Sequence, residues 1–178
     1  EEKVAYAIKW CLAEVDKHIE VIEKNCESKY RYKCIILKKE DFIDEPQEYD
    51  HILVSSEGII LIETKHWKGK IKINPDGKWL RDPNNNGQMM GVESPAFQMR
   101  RHELLIKNIL PNVPVISLLC FSNVSAVLEG EKIFKDYPII YVDQLREKLI
   151  KILLSGNSSE DCVDYIVEQI EKYKINKM

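Results

Sequence analysis

The chain has 178 residues and a formal net charge of −3, from 26 Lys and Arg against 29 Asp and Glu. Seven Gly and seven Pro exclude collagen-like and low-complexity classes, and the acidic balance argues against a non-specific nucleic-acid coat, which is strongly basic. A chain this long buries roughly 70% of its unfolded surface and needs neither metal nor disulfide to hold a core. The five cysteines (Cys11, Cys26, Cys34, Cys120, Cys162) are scattered and never form a C-x-x-C pair. They read as reduced thiols of a cytoplasmic protein, mostly small core residues, and not as a disulfide framework or zinc site. The longest uncharged apolar run, Pro114 to Phe121, is too short to cross a bilayer, so no membrane partner is expected. No leader pattern opens the chain, which begins at Glu1 without Met, as a piece of a larger protein would.

In chain order, Val4, Ile8, Cys11, Leu12, Val15, Ile19 and Ile22 form a helical stripe and predict an amphipathic helix over residues 4–22. Tyr32 to Lys38 reads as a strand, and the acidic stretch Glu40 to Glu48, with Pro46, as a loop. Tyr49 to Ser55 and Ile59 to His66 are apolar strands around Ser56-Glu57-Gly58, a hairpin. Lys70 to Ile73 and Lys78 to Leu80 predict a second hairpin around Asn74-Pro75-Asp76-Gly77. Arg81 to Gly91, with Asn84-Asn85-Asn86-Gly87, is the most loop-like segment. Ser94-Pro95 caps and opens a helix to about Leu110. Val113 to Phe121 is a buried strand and Pro138 to Val142 a short one. Helices follow over Asp143 to Leu154 and, after the break at Gly156-Asn157-Ser158, with Cys162, Ile166 and Ile170 on one face. No repeat or long linker divides the chain, so one domain over 1–178 is expected.

Strand alternation puts Ile59, Leu61, Glu63 and Lys65 on one face. An acid and a lysine thus continue a face that apolar residues began. A hairpin centred between Ser56 and Glu57 places Asp50 opposite Glu63, with Cβ atoms about 5 Å apart. A loop of odd length shifts the register and brings His51 to that place instead. Two facing carboxylates repel, and a divalent cation between them removes the penalty. Mg²⁺ suits the arrangement because it takes one or two carboxylates, keeps water and binds phosphate. Lys65 would then orient or deprotonate the attacking water, or stabilise charge building on the phosphate. The plain alternative is a surface cluster in which Lys65 neutralises the two acids.

The run Glu48-Tyr49-Asp50-His51-Ile52-Leu53-Val54, followed by Gly58-Ile59-Ile60-Leu61-Ile62-Glu63-Thr64-Lys65-His66-Trp67-Lys68-Gly69-Lys70-Ile71, resembles the core of the NERD (nuclease-related) domain. Ser94-Pro95-Ala96-Phe97-Gln98 is similar to that family's Asn-Pro-x-x-Gln helix start, with Ser94 in place of Asn. Glu1-x-x-Val4 with Ile8 is similar to its Gly-Glu helix start, without the Gly. The resemblance covers roughly residues 1–122. It implies an α/β fold like that of restriction endonucleases, a mixed β-sheet flanked by helices with an αβββαβ core, as in the PD-(D/E)XK nucleases. It also implies that Asp50 and Glu63 are metal ligands, with the Thr64 carbonyl and Glu1 (Glu2 competing) as further ligands. Lys65 would be the catalytic lysine and Gln98 the helix glutamine bordering the site.

One helix turn beyond Gln98 stand Arg101 and His102, either phosphate contacts or a solvated face. Lys68, Lys70 and Lys72 share a strand face if the strand continues past Gly69, a DNA-backbone stripe with Trp67 available for stacking. A charged edge strand that blocks aggregation is the ordinary explanation of the same stripe. His18 and His51, without partners at ligand spacing, read as structural. The expected function is an Mg²⁺- or Mn²⁺-dependent nuclease hydrolysing DNA phosphodiesters. A non-catalytic nucleic-acid-binding or regulatory module of the same fold is the alternative.

Overall fold

The computed structural model describes residues 2–14, 19–21, 35–39, 46–55, 57–154 and 161–175. Helix α1 (Glu2–Glu14) is followed by short strands β1 (Ile19–Val21), β2 (Ile35–Leu37) and β3 (Gln47–Tyr49). The long hairpin β4 (His51–Ser55) and β5 (Gly58–Lys65) leads to β6 (Gly69–Ile73), β7 (Trp79–Asp82) and β8 (Met90–Val92). Then come α2 (Pro95–Ile109), β9 (Val115–Phe121), β10 (Ala126–Glu129), β11 (Ile139–Tyr141), α3 (Val142–Leu153) and α4 (Asp161–Glu171).

The central sheet has the order β1-β4-β5-β9-β11, antiparallel between β1, β4 and β5 and parallel from β5 through β9 to β11. Tracing α1, β1, β4, β5, α2 and β9 yields an αβββαβ core, the restriction-endonuclease-like α/β fold. Helices cover both faces, which is why β5 is a continuous apolar run over its first residues after Gly58 rather than an alternating one. Ile59 and Leu61 pack with Leu105, Ile106 and Leu110 of the α2 segment and with Val163, Ile166 and Ile170 of α4. Ile60 and Ile62 face the other way, onto Val4, Ile8 and Cys11 of α1 and Leu145, Leu149 and Leu153 of α3. A second sheet, β10-β6-β7-β8, buries Ile71, Ile73 and Trp79 against Met99, Leu119 and Phe121.

Several elements differ from the sequence-based expectation. The first helix ends at Glu14, not residue 22, and Ile19–Val21 is the first core strand, Ile19 pairing with Ser55. β-Branched Ile19 fits a strand as well as the helical stripe, and here Ile19–Val21 pairs along the open side of β4. The predicted strand over 32–38 is present as Ile35–Leu37, with residues 32–34 outside the described set. It pairs with Gln47–Tyr49 in a separate ribbon, so Glu48 lies in a strand rather than a loop. The loop expected over 81–91 closes into strand β8, and the buried Asp82 carboxylate gathers the N–H groups of Asn84, Asn86 and Gly87. Strand β10, parallel to β6, has no counterpart among the predicted elements. On α4, Cys162 is exposed and Val163 takes its place on the buried face. Cys11 and Cys120 are buried core residues, while Cys26, Cys34, His18 and residues 156–158 lie outside the described residues. Among the described residues no helix is long and apolar enough to cross a membrane.

Candidate active site

The hairpin adopts the centred register, closing on Ser55↔Gly58 and running to His51↔Ile62. The next step would pair the backbones of Asp50 and Glu63, but the chain bends at Asp50. Its side chain takes over the ladder: Asp50 Oδ2 accepts the Thr64 N–H at 2.7 Å. The acid is therefore held by the backbone of the strand that carries Glu63 and Lys65. That strand is buried from Gly58 through Glu63 and half-buried at Thr64 and Lys65, so the site sits where β5 emerges from between the helices.

Glu63 and Lys65 share a face, as alternation requires, and the Lys65 Nζ donates to Glu63 Oε1 at 2.6 Å. The same Nζ donates to Gln98 Oε1 at 2.9 Å. Gln98 reaches it from the first turn of α2, which begins as predicted: the Ser94 hydroxyl accepts the Ala96 N–H and Pro95 opens the helix. One turn on, His102 is only 4% exposed, its ring 4.3 Å from that of Tyr49 and its Nδ1 3.8 Å from Glu63 Oε2. Arg101, beside it in sequence, is exposed. The pair that helical spacing placed on one side is divided between core and surface.

Glu63 is 4% exposed. Burial, reinforced by the Asp50 charge, pushes its carboxyl up to about 7 against the pull of Lys65. Burial and then the charges of Arg101 and Lys65 push the His102 imidazole down to about 4. Near pH 7 His102 is neutral and Glu63 stands between its protonated and ionised forms, so their approach is not an ion pair. Glu63 Oε2 and Thr64 Oγ1 are buried without hydrogen-bond partners. A small cavity is lined by Asp50, Glu63, His102 and Ser117 among others.

Among the described residues no group of three or more His, Cys, Asp or Glu side chains could hold a metal. Two carboxylates and an orphaned buried oxygen nonetheless suit a cation that takes one or two carboxylates and completes its shell with water. Glu1 lies outside the described residues, and of Glu2 only its place at the start of α1 is described. Thr64 stands between Glu63 and Lys65 and is tied to Asp50 through its N–H.

The basic stripe is less uniform than its spacing. Lys70 is paired with Glu129 at 2.8 Å, while Lys68 and Lys72 are exposed. Strand β6 lies between β10 and β7, so the stripe is not on an edge strand. Trp67 is a packing residue: it meets Trp79 and Phe121 edge-on, and the Arg81 guanidinium lies over its ring. His66, exposed, bonds the Ser122 hydroxyl through Nδ1 at 3.0 Å. The signal for His102 was its i+4 spacing from Gln98. Nothing in the sequence marked Tyr49, whose hydroxyl donates to the His102 carbonyl at 3.0 Å.

Comparison with curated proteins and with solved structures finds no match. The family model that matches, over residues 1–122, is the nuclease-related domain, and those residues span α1, the hairpin, α2 and β9 and thus every described side chain of the site. The chain belongs to the nuclease-related domain (NERD) family.

Proposed function

We propose that this protein is a divalent-cation-dependent nuclease that hydrolyses DNA phosphodiester bonds at Asp50, Glu63 and Lys65. The observation that carries the reading is the placement of Lys65 Nζ, held by Glu63 Oε1 and Gln98 Oε1 beside the two acids. Asp50 and Glu63, with the Thr64 carbonyl, would hold Mg²⁺ or Mn²⁺, whose positive charge relieves their repulsion and polarises the phosphate. Lys65 donates to the phosphate oxygens as negative charge builds on them, and Gln98 keeps its amine aimed there. In the hydrolysis the water oxygen bonds to phosphorus, the P–O ester bond breaks, and a proton from the water ends on the leaving alkoxide. A purely binding module has no use for a buried carboxylate whose second oxygen is buried without a partner, since that arrangement only costs stability.

The test is cleavage of labelled single- and double-stranded DNA with Mg²⁺, Mn²⁺ or EDTA. The parent is expected to cut only with metal, and Lys65→Ala to lose at least about 100-fold in rate, as removal of one transition-state donor does, while keeping its circular dichroism spectrum. Equal rates for Lys65→Ala and the parent would overturn the assignment.

A further inference from the structure

His102 lies outside the acid–lysine motif, yet it is built into the same site. The Tyr49 ring lies 4.3 Å from its ring at a tilt of 31°, and the Tyr49 hydroxyl bonds its carbonyl, so one residue holds both the imidazole and its backbone. Of the two Glu63 oxygens, Oε1 is taken by Lys65 while Oε2 is buried, unpartnered and 3.8 Å from His102 Nδ1. That gap is wider than a hydrogen bond and narrower than two such bonds through a water in line, and both residues border the small cavity that Asp50 also lines. A Lys or Arg in this place would close onto Oε2 and compete with a cation. An imidazole gives the oxygen direction without adding a competing charge.

We propose that His102 is a positioning residue for Glu63, its Nδ1 setting the orientation of the carboxylate through Oε2. The proposal rests on the metal-dependent reading above. Outer partners of metal-binding carboxylates commonly set affinity by 10–100-fold, so the readout is the cation midpoint, which a space-filling histidine does not move.

Mn²⁺ is titrated into the parent, His102→Phe and His102→Asn, followed by thermal melting and by cleavage of plasmid DNA. Phe keeps a ring on Tyr49 and removes Nδ1, and its Mn²⁺ midpoint is expected to rise roughly tenfold or more. Asn places an amide near the position of Nδ1 and is expected to restore most of the parent's affinity. A Phe variant that melts lower in EDTA but keeps the parent's midpoint overturns the proposal. If Phe does not fold, His102→Leu, which also removes Nδ1, takes its place: a midpoint at least roughly tenfold above the parent's supports the proposal, and one equal to the parent's overturns it. A parent that responds to neither Mn²⁺ nor Mg²⁺ in either measurement overturns the metal-site reading itself, an outcome distinct from the others.

Discussion

At the scale of single residues the decisive fact is that Glu63 is buried beside another acid. Its folded-state carboxyl sits at about 7 against an ordinary 4.5. Between those values the folded protein holds a proton that the unfolded chain has released, so stability falls as pH rises through the window. The full difference is on the order of 3 kcal/mol at 1.36 kcal/mol per pKa unit. Without metal, Glu63→Gln is therefore expected to flatten the decline between about pH 4.5 and 7. Denaturant unfolding at pH 5 and pH 8 in EDTA measures it, and equal pH slopes for the two proteins would refute the assignment. Saturating Mg²⁺ favours the ionised carboxylate and is expected to reduce the parent's slope in the same way.

At the scale of elements, the site depends on where strands start and how tightly they approach. Gly58, with φ +117°, opens β5, and a Cβ there would stand 2.3 Å from the Pro114 carbonyl oxygen. The Ile59 N–H donates to that same oxygen at 2.9 Å, locking β5 beside β9 in the register that sets Glu63 next to Leu119. Gly58→Ala introduces both a strained backbone and a clash with main-chain atoms. It is expected to cost about 2 kcal/mol or more, read as a lowered denaturant midpoint at unchanged slope; a midpoint equal to the parent's would show that the contact relaxes freely. At the other element, α2, the capping serine and Pro95 set the phase that brings Gln98 to Lys65 and buries His102 one turn later.

At the scale of the whole molecule, the C-terminal elements complete the sheet that the family match spans. Val163, Ile166 and Ile170 of α4 cover Ile52, Val54 and Leu61 on the α2 side, and α3 covers the other face with α1. With a net charge of −3, the DNA contact that the proposed function requires would rest on local basic groups. Lys70 is held by Glu129, whereas Lys68 and Lys72 are exposed. If the stripe follows a DNA backbone, replacing Lys68 and Lys72 with Gln flattens the salt dependence of DNA binding by roughly 0.9 in slope for each phosphate that is no longer neutralised. Lys70→Gln alone is expected to change it little. Fluorescence anisotropy in EDTA across a salt series measures both, and an unchanged slope in the double variant assigns these lysines to solubility.

The sequence alone determined the motif hairpin and the shared face of Glu63 and Lys65, because side chains alternate along a strand. It left the register open between a centred turn and one of odd length, and the structure holds the centred one. It also determined the start of α2, since Ser-Pro is a local cap. It misplaced the first core strand because Ile19 satisfies the helical stripe as well as a strand, and only the open side of β4 chooses between them. It left Arg101 and His102 equivalent because spacing on a helix does not say which side meets the sheet. Tertiary structure separated them, sinking His102 between Tyr49 and Glu63 and leaving Arg101 in solvent. It likewise decided that Trp67 packs in a core, that Lys70 is neutralised from a strand far along the chain, and that Asp50 replaces a peptide in the ladder. Each of these depends on the meeting of segments distant in the chain, and no local pattern records them.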